Sequence, residues 1–430
     1  MDVFEKPRIY IAIPTFHPLV GGAETQTLAQ AQRLVENGYQ IQIVTFHHKH
    51  IWPSRETIQG VSVMRVAGLF LGRRATMPRL LQQCMYLIAM FVMSWTLWHH
   101  RKKYDILQVC QLGSLCLPLA AVCRLACKPM TILLINSGSG DPRIKTKGPS
   151  TLLAGPLDPN TPWLKVDGPT WIDGDIYGVL AMNKYIVSIM YRLFKDVKAI
   201  LLVLSTQMLR SLKDYNLDLP GTRVIPNGVD IIRFQPLASG LINEEWTKTV
   251  VCVSQLRYEK GTDVLLQAWN LVQKQIPEAR LILVGSGPLQ PQQEILADAL
   301  NIRQSVEFAG LQSDVPAQFH RGMIAALPSR WEGMPNALLE AMASGCACVA
   351  TRVSGSEDLI QDGINGLLVT PEDYSGLAEA LLTLLKDPTL AKKYGAAARA
   401  SIEQHYTLEH ILDMYIDTYR ELVRGCVYAK

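Results

Sequence analysis

Short apolar segments alternate with helix-patterned segments along most of the chain, and this alternation limits the fold more than any other feature. In the first half, Arg8–Ile13, Ile41–Phe46, Asp105–Val109, Thr131–Ile135, Ala199–Leu204 and Arg223–Ile225 read as strands. Between them, Glu24–Asn37 is patterned as a helix with Leu28, Ala31, Leu34 and Val35 on one face, and an apolar helix lies near 115–126. The pattern restarts at Thr249–Val253 and continues through Arg280–Val284, Ser305–Phe308, Ile324–Leu327 and Ala347–Ala350. Strands that are apolar throughout, each followed by a helix, predict parallel sheets covered on both faces. A chain of 430 residues is too long for one core. The expectation is therefore an α/β protein of two doubly wound domains, 1–236 and 247–405, facing a central cleft, with a linker between them and a last helical segment at 406–430. Residues 138–178, rich in Gly, Pro and Asp, read as a long loop region.

Charge and composition exclude some classes. A net charge of +4 is small for this length, and the basic residues form no long block, which gives no case for nucleic acid. The nine cysteines include no Cys-x-x-Cys pair and mostly sit in apolar runs, the usage expected of reduced thiols in the cytoplasm. The first residues contain no apolar signal region. Residues 84–98 are nearly all apolar but fall short of the roughly 20 residues a spanning helix needs. A crossing there would also separate strands of one sheet. Two readings remain for this helix: burial against the sheet, or docking at a membrane surface with the basic residues Arg73, Arg74, Arg79, Arg101, Lys102 and Lys103 beside it.

The residues that carry chemistry all fall just after strands, where doubly wound sheets bind ligands. Ser329–Gly345 is the richest stretch. A loop turns there into a helix, with Glu332 and Glu340 on either side of the turn. Pro335 suits the first helical turn. The start of such a helix favours a phosphate, and carboxylates beside it suit the hydroxyls of a ribose and a sugar. Gly21 and Gly22 open the first helix, but the run is not the Gly-x-Gly-x-x-Gly fingerprint of a nicotinamide dehydrogenase. Gln255 to Gly261 supplies Arg257 and Lys260, two cations suited to a diphosphate, or merely a charged turn. Gly285 and Gly310 end strands, where the backbone either meets a ligand or simply turns. No aspartate cluster has metal-ligand spacing.

In order along the chain, Ile225-Pro-Asn-Gly-Val-Asp230, Lys260-Gly261, Gly285-x-Gly-Pro288, Glu332-Gly-x-Pro335, Glu340-Ala-Met-Ala and Gly363-x-x-Gly-Leu-Leu-Val369 resemble the retaining glycosyltransferases of family 4, the group 1 glycosyl transferases. The resemblance implies the GT-B fold, two Rossmann-like domains, with the acceptor held by the N-terminal domain and a nucleotide sugar by the C-terminal one. It implies that 406–430 crosses back to the first domain. The reaction implied moves a hexose-type sugar from a UDP-, GDP- or ADP-linked donor to a glycan, a lipid-linked or a small-molecule acceptor, with no cofactor and no metal. Glu340 would bind the ribose, Glu332 the transferred sugar, and Lys260 the leaving diphosphate. Backbone groups of Gly333, Met334, Pro335, Asn336, Ala337 and Leu338 would line the diphosphate seat, and Gly21 and Gly22 would close over the donor. The reaction implied is a front-face attack in which the leaving phosphate takes the acceptor proton.

Three positions depart from the family. Gln255 stands where an arginine is usual, with Arg257 two positions on. Gln108, Cys110 and Gln111 stand where histidines are frequent. Asn136-Ser-Gly-Ser-Gly-Asp141 follows the next strand, where Asp141 either assists acceptor or donor sugar, or caps a turn. Two other classes fit the same cleft: a sugar-nucleotide epimerase of GT-B fold, and a sugar-nucleotide-binding protein with little activity. The paired glutamates and the Pro-Asn-Gly-Val-Asp element weigh against the epimerase.

Overall fold

In the computed structural model, residues 6–19, 21–49, 51–68, 79–135, 175, 179, 182–237 and 244–427 are described. They divide into two compact units, one running to Pro226 and taking in the chain from Leu408 onward, the other holding Asn227–Thr407. Asp141, Arg73 and Arg74 lie outside the described residues, as does nearly all of the 138–178 loop.

The first unit is built on an eight-stranded sheet. Its strands are β1 (Ile9–Ala12), β2 (Ile41–His47), β3 (Arg55–Ile58), β4 (Val61–Gly68), β5 (Ile106–Cys110), β6 (Met130–Leu133), β7 (Ile200–Val203) and β8 (Arg223–Val224), in the order β3-β4-β2-β1-β5-β6-β7-β8. All neighbours are parallel except β3 and β4, an antiparallel edge hairpin. Sequence reading overlooked that hairpin because β3 reads Arg-Glu-Thr-Ile, with half of its residues exposed. The central strands are buried on both faces, as parallel strands under helices must be. Five helices with described bounds connect them: α1 (Gly22–Glu36), α2 (Arg79–His99), α3 (Cys116–Ala126), α4 (Lys184–Asp196) and α5 (Thr206–Asp214). α4 and α5 start where Asn183 and Ser205 side chains accept the amides of Tyr185 and Met208.

The C-terminal helix, Leu408–Val427, packs in this same unit. Its anchor is Tyr419, fully buried, whose hydroxyl donates to Gln108 Oε1 at 2.6 Å and accepts from Gln30 Nε2 at 3.2 Å. Ion pairs of Arg223 with Glu421 (2.9 Å) and Arg33 with Glu409 (3.7 Å) flank it. Gln108 is thus spent on holding a helix.

The second unit has β9 (Thr249–Val253), β10 (Arg280–Val284), β11 (Val306–Gly310), β12 (Ile324–Leu327), β13 (Ala347–Thr351) and β14 (Leu367–Val369), all parallel, in the order β11-β10-β9-β12-β13-β14. This is the dinucleotide-fold order 3-2-1-4-5-6, which reverses direction between β9 and β12. The helices are α6 (Thr262–Gln275), α7 (Gln290–Ala299), α8 (Val315–Phe319), α9 (Asn336–Ala343), α10 (Ser354–Leu359), α11 (Tyr374–Lys386) and α12 (Pro388–His405). The core gathers Val250, Leu265, Trp269, Leu281, Ala326 and Val349, and the indole N–H of Trp269 donates to Ser305 Oγ at 3.1 Å.

Tyr419→Phe removes one hydroxyl and leaves buried amide groups of Gln30 and Gln108 without it. A loss of about 1–3 kcal/mol is expected, read as an earlier urea midpoint for the first unit, with the second unit unchanged.

Candidate functional site

The strand order reverses between β9 and β12, so the turns that follow these two strands share one opening at the carboxyl edge of the sheet. After β9 the chain makes a single 3-10 turn at Tyr258–Lys260 and enters α6 at Gly261. Gly261 takes a left-handed φ of 61°, and a Cβ there would lie 2.0 Å from the carbonyl oxygen of Pro328, just past β12. Only glycine fits both the conformation and the gap. The two turns are therefore pressed together, and Lys260 Nζ meets Glu332 Oε1 at 2.7 Å. Ser329 Oγ donates to the same oxygen at 2.8 Å, and Glu332 is buried.

The neighbouring turn is tied in the same way. Gly285, at φ +129°, would place a Cβ 2.0 Å from Ser254 O, and its N–H donates to Gly310 O at 2.8 Å. Ser254 N–H donates to Val284 O, and Leu256 N–H to Ser286 O. The turns after β9, β10 and β11 thus form one hydrogen-bonded rim. Gln255 and Arg257 are exposed on it, and neither side chain has a partner among the described residues.

The Glu332–Glu340 stretch begins α9 at Asn336, so Pro335 is the capping residue just before the first turn and not within it. Its carbonyl accepts the amides of Leu338 and Leu339 at 3.1 and 3.2 Å, so the Leu338 N–H is already committed within the helix. Asn227, from the Pro-Asn-Gly-Val-Asp element, donates to Asn336 Oδ1 at 2.8 Å and approaches Met334 O at 3.5 Å. That element braces the turn. Glu340 follows on α9. Burial pushes its carboxyl up to about 7, against a smaller opposing pull from Arg233. Because the folded value lies above the ordinary 4.5, ionising Glu340 opposes folding progressively from about pH 4.5 to about 7.

Arg330 is the residue that sequence reasoning missed. It is buried, forks onto both oxygens of Asp263 (2.8 and 2.7 Å), pairs with Glu372, donates to Tyr258 O at 2.6 Å and stacks 4.0 Å above the Tyr258 ring. Its own amide donates to Glu259 O at 2.9 Å. Desolvation works against the guanidinium charge, but hydrogen bonds and attraction from Asp263 and Glu372 outweigh it and raise the pKa above its usual range. One side chain thus fixes the turn that carries Lys260 against the turn that carries Glu332. Its signal in the sequence was only its place three residues before Gly333, beside Ser329.

In the first unit, Gly21 is extended and Gly22 begins α1, while Glu24 accepts from Thr15 Oγ1. The buried Arg65 holds the loop before them through His17 O at 2.6 Å, together with Pro53 O and Glu56. Burial keeps the His17 imidazole below its usual range, although Glu24 pulls the other way. Gln111, at the end of β5, holds a φ of 95° that a non-glycine residue rarely adopts. β1 and β5 are neighbours at the reversal of this sheet. Among the described residues no three His, Cys, Asp or Glu side chains converge to hold a metal ion.

Residues 247–387 match the family described as Glycosyl transferases group 1. Among curated relatives, N-acetyl-alpha-D-glucosaminyl L-malate synthase of Bacillus anthracis is 33% identical over 180 residues, 42% of this chain and 47% of that protein. A GDP-mannose-dependent alpha-(1-6)-phosphatidylinositol monomannoside mannosyltransferase of Mycolicibacterium smegmatis is 31% identical over 201 residues, 43% of this chain and 51% of its own length. The chain thus spans about half the length of the curated relatives it matches. Among solved structures, a sucrose-phosphate synthase from Thermosynechococcus elongatus aligns with a TM-score of 0.72 at 19% identity, covering 97% of this chain and 100% of the other. Anabaena HepE in complex with UDP aligns at 0.68 and 17% identity, covering 96% and 100%. The fold is that of the GT-B glycosyltransferases, two units each built on a parallel sheet. The group 1 glycosyl transferase match lies within the second unit.

Arg330→Met leaves the Asp263 carboxylate buried without its partner, which should cost about 3–5 kcal/mol. Arg330→Lys keeps the charge but not the fork, and a smaller loss is expected. Thermal or urea unfolding of the second unit measures both, and equal midpoints for all three proteins would contradict the clamp.

Proposed function

We propose that this chain is a retaining glycosyltransferase that moves a hexose-type sugar from a nucleotide-diphosphate sugar to a glycan, lipid-linked or small-molecule acceptor. The observation that carries the reading is the Lys260–Glu332 pair, held at the strand reversal beside the start of α9. A lysine ammonium has three donors, so Lys260 can keep Glu332 and offer another N–H to a phosphate. The helix start adds backbone N–H groups and the positive end of its dipole. UDP in the HepE structure is consistent with a uridine donor, although GDP and ADP donors fit the same diphosphate chemistry.

Each residue has a role in this reading. Lys260 neutralises charge that develops on the departing diphosphate. Glu332, oriented by Lys260 and Ser329, accepts hydrogen bonds from hydroxyls of the transferred sugar. Glu340, once ionised, accepts the ribose hydroxyls. Gly285, Gly310 and the 333–337 backbone shape the seat, and Arg257 stands in for the usual arginine at Gln255. Asp141 is assigned to the acceptor side. Attack from the front face lets the leaving phosphate take the acceptor proton, so no protein nucleophile is needed, and positioning supplies most of the catalysis. We further assign the enzyme to the cytoplasmic face of a membrane, in peripheral contact through 84–103. The epimerase reading and the inactive binder reading lack a comparable observation.

Incubation with a panel of UDP-, GDP- and ADP-sugars, with and without acceptors, tests the reaction, and proton NMR of the anomeric centre tests retention. Epimerisation without acceptor, or binding without turnover, would overturn the proposal. Lys260→Ala should lower kcat by about 10²–10³-fold, with the nucleotide dissociation constant less affected. Glu340→Ala should weaken nucleotide binding by about 10–100-fold.

Only the ionised Glu340 carboxylate can accept from both ribose hydroxyls through both of its oxygens, and burial raises its value to about 7 in the folded chain. Donor binding should therefore release a proton and strengthen as pH rises through about 7. Titration calorimetry of the nucleotide between pH 6 and 8 measures this, and Glu340→Gln should flatten the profile. A profile identical in parent and variant would remove Glu340 from the ribose.

A further inference from the structure

Helix α2 buries one face, as the first reading made for it expects, and leaves an apolar face exposed. Ala89, Met90, Met93 and Leu97 are buried, while Leu87, Ile88, Phe91 and Trp95 are 60%, 62%, 67% and 56% exposed. The exposed residues recur at three- and four-residue spacing and form one stripe, with the Phe91 and Trp95 rings stacked 6.4 Å apart. Helix α4 repeats the arrangement. Met190 and Phe194 face the core, while Tyr185, Ile186 and Ile189 are 68%, 41% and 56% exposed. Helix α3 packs against both α2 and α4. The three lie on connections that step in one direction across the sheet, β4 to β5, β5 to β6 and β6 to β7, so right-handed crossovers put them in one layer. Two apolar rows therefore lie on the outer surface of a single helical layer. Isolated exposed apolar residues are ordinary, but two such rows on one helical layer, either side of α3, mark an interaction surface.

The charge around the rows selects the partner. No aspartate or glutamate occurs between Glu56 and Asp105. Lys102 and Lys103 are exposed just past α2, and Arg101 stacks 4.4 Å over Trp98. On α4 the exposed Lys184, Arg192 and Lys195 flank the apolar residues, and the one acid there, Asp196, is paired with Arg124 at 3.1 Å. An apolar stripe bordered by Lys and Arg with no opposing acids matches an interfacial helix on an anionic bilayer. A second copy of this chain would instead set like charges against each other. No helix among the described residues is long and apolar enough to cross a membrane.

We propose that the α2–α3–α4 layer docks on an anionic phospholipid surface. α2 lies in the interface plane, with Leu87, Ile88, Phe91 and Trp95 among the acyl chains. Tyr185, Ile186 and Ile189 of α4 form the second foothold, and the flanking lysines and arginines meet the headgroups. The proposal rests on the membrane assignment made above and deepens it by naming the lipid class and the second helix.

Flotation of the full chain with phosphatidylcholine vesicles, with and without phosphatidylglycerol, tests it. Binding should be at least about 10-fold stronger to the anionic vesicles and should fall as salt rises. Phe91→Ser/Trp95→Ser, and separately Tyr185→Ser/Ile189→Ser, should each cut binding about 10-fold or more, with the unfolding midpoint and nucleotide binding unchanged. Lys102→Gln/Lys103→Gln should reduce the preference for anionic lipid while neutral vesicles are unaffected. Absence of partition, equal partition to neutral and anionic vesicles, or equal binding by the variants would overturn the proposal. So would a lipid-free dimer that the serine variants dissociate. Failure of nucleotide-sugar turnover in the parent protein would count against the glycosyltransferase reading and leave the vesicle result standing.

Discussion

The reversal of strand order between β9 and β12 is the constraint on which the candidate site depends. Neighbouring parallel strands whose connections leave in opposite directions open a gap at their carboxyl ends, and two turns must share it. Here the sharing is so tight that Gly261 rests against the Pro328 carbonyl with no room for a side chain. Lys260 and Glu332, one on each turn, are consequently neighbours by backbone geometry and not by side-chain reach. A partly buried ion pair is weak evidence for stability, because desolvation offsets much of the attraction. Its value is as fixed charge, oriented before any ligand arrives.

Lys260 and Arg330 both sit within this pair of turns, and their environments divide the work. The Arg330 guanidinium spends its fork on Asp263, Glu372 and the Tyr258 carbonyl, and its face on the Tyr258 ring. So saturated a group holds structure together and has little left for a ligand. Lys260 has one hydrogen bond, to Glu332, and a flexible stem. The planar cation builds the scaffold and the mobile one faces the opening. Asn227 does for the 334–336 turn what Arg330 does for its own, tying it by side-chain hydrogen bonds.

Short continuous apolar runs between period-3.6 segments made the parallel α/β architecture readable, because parallel strands buried on both faces are mostly apolar. β9 and β10 run over the same residues as their apolar segments. The β3–β4 hairpin was not readable, since an exposed edge strand needs no apolar run. Lys260, Glu332 and Glu340 stood out as charges placed just after strands. Arg330 did not, because nothing local distinguishes an arginine that will be enclosed by Asp263 and Glu372 from one in solvent. These partners lie 67 and 42 residues away. The positive φ of Gln111 likewise has no sequence signature, since a glutamine does not announce it locally. The apolar run at 84–98 was legible as a helix, but only the three-dimensional packing separates its buried face from its exposed one.

The two units answer to different chemistry. In the second, the proposed diphosphate would demand the same cation, helix start and close turns whatever sugar it carries. A shared solution there is consistent with the group 1 match lying at 247–387. In the first unit side-chain hydrogen bonds build a buried frame: Tyr419 bridges Gln30 and Gln108, and Arg65 holds the loop of His17. Its outer helical layer answers to whatever it meets. Eight residues within α2 and α4 that would ordinarily be polar are instead Leu81, Leu87, Ile88, Phe91, Trp95, Tyr185, Ile186 and Ile189. Each exposed apolar residue is a solubility liability for a free protein, and folding gains nothing from it. Their concentration on one layer, with acids excluded from its longest helix, is what the proposed anionic lipid surface, apolar below and negatively charged above, would require.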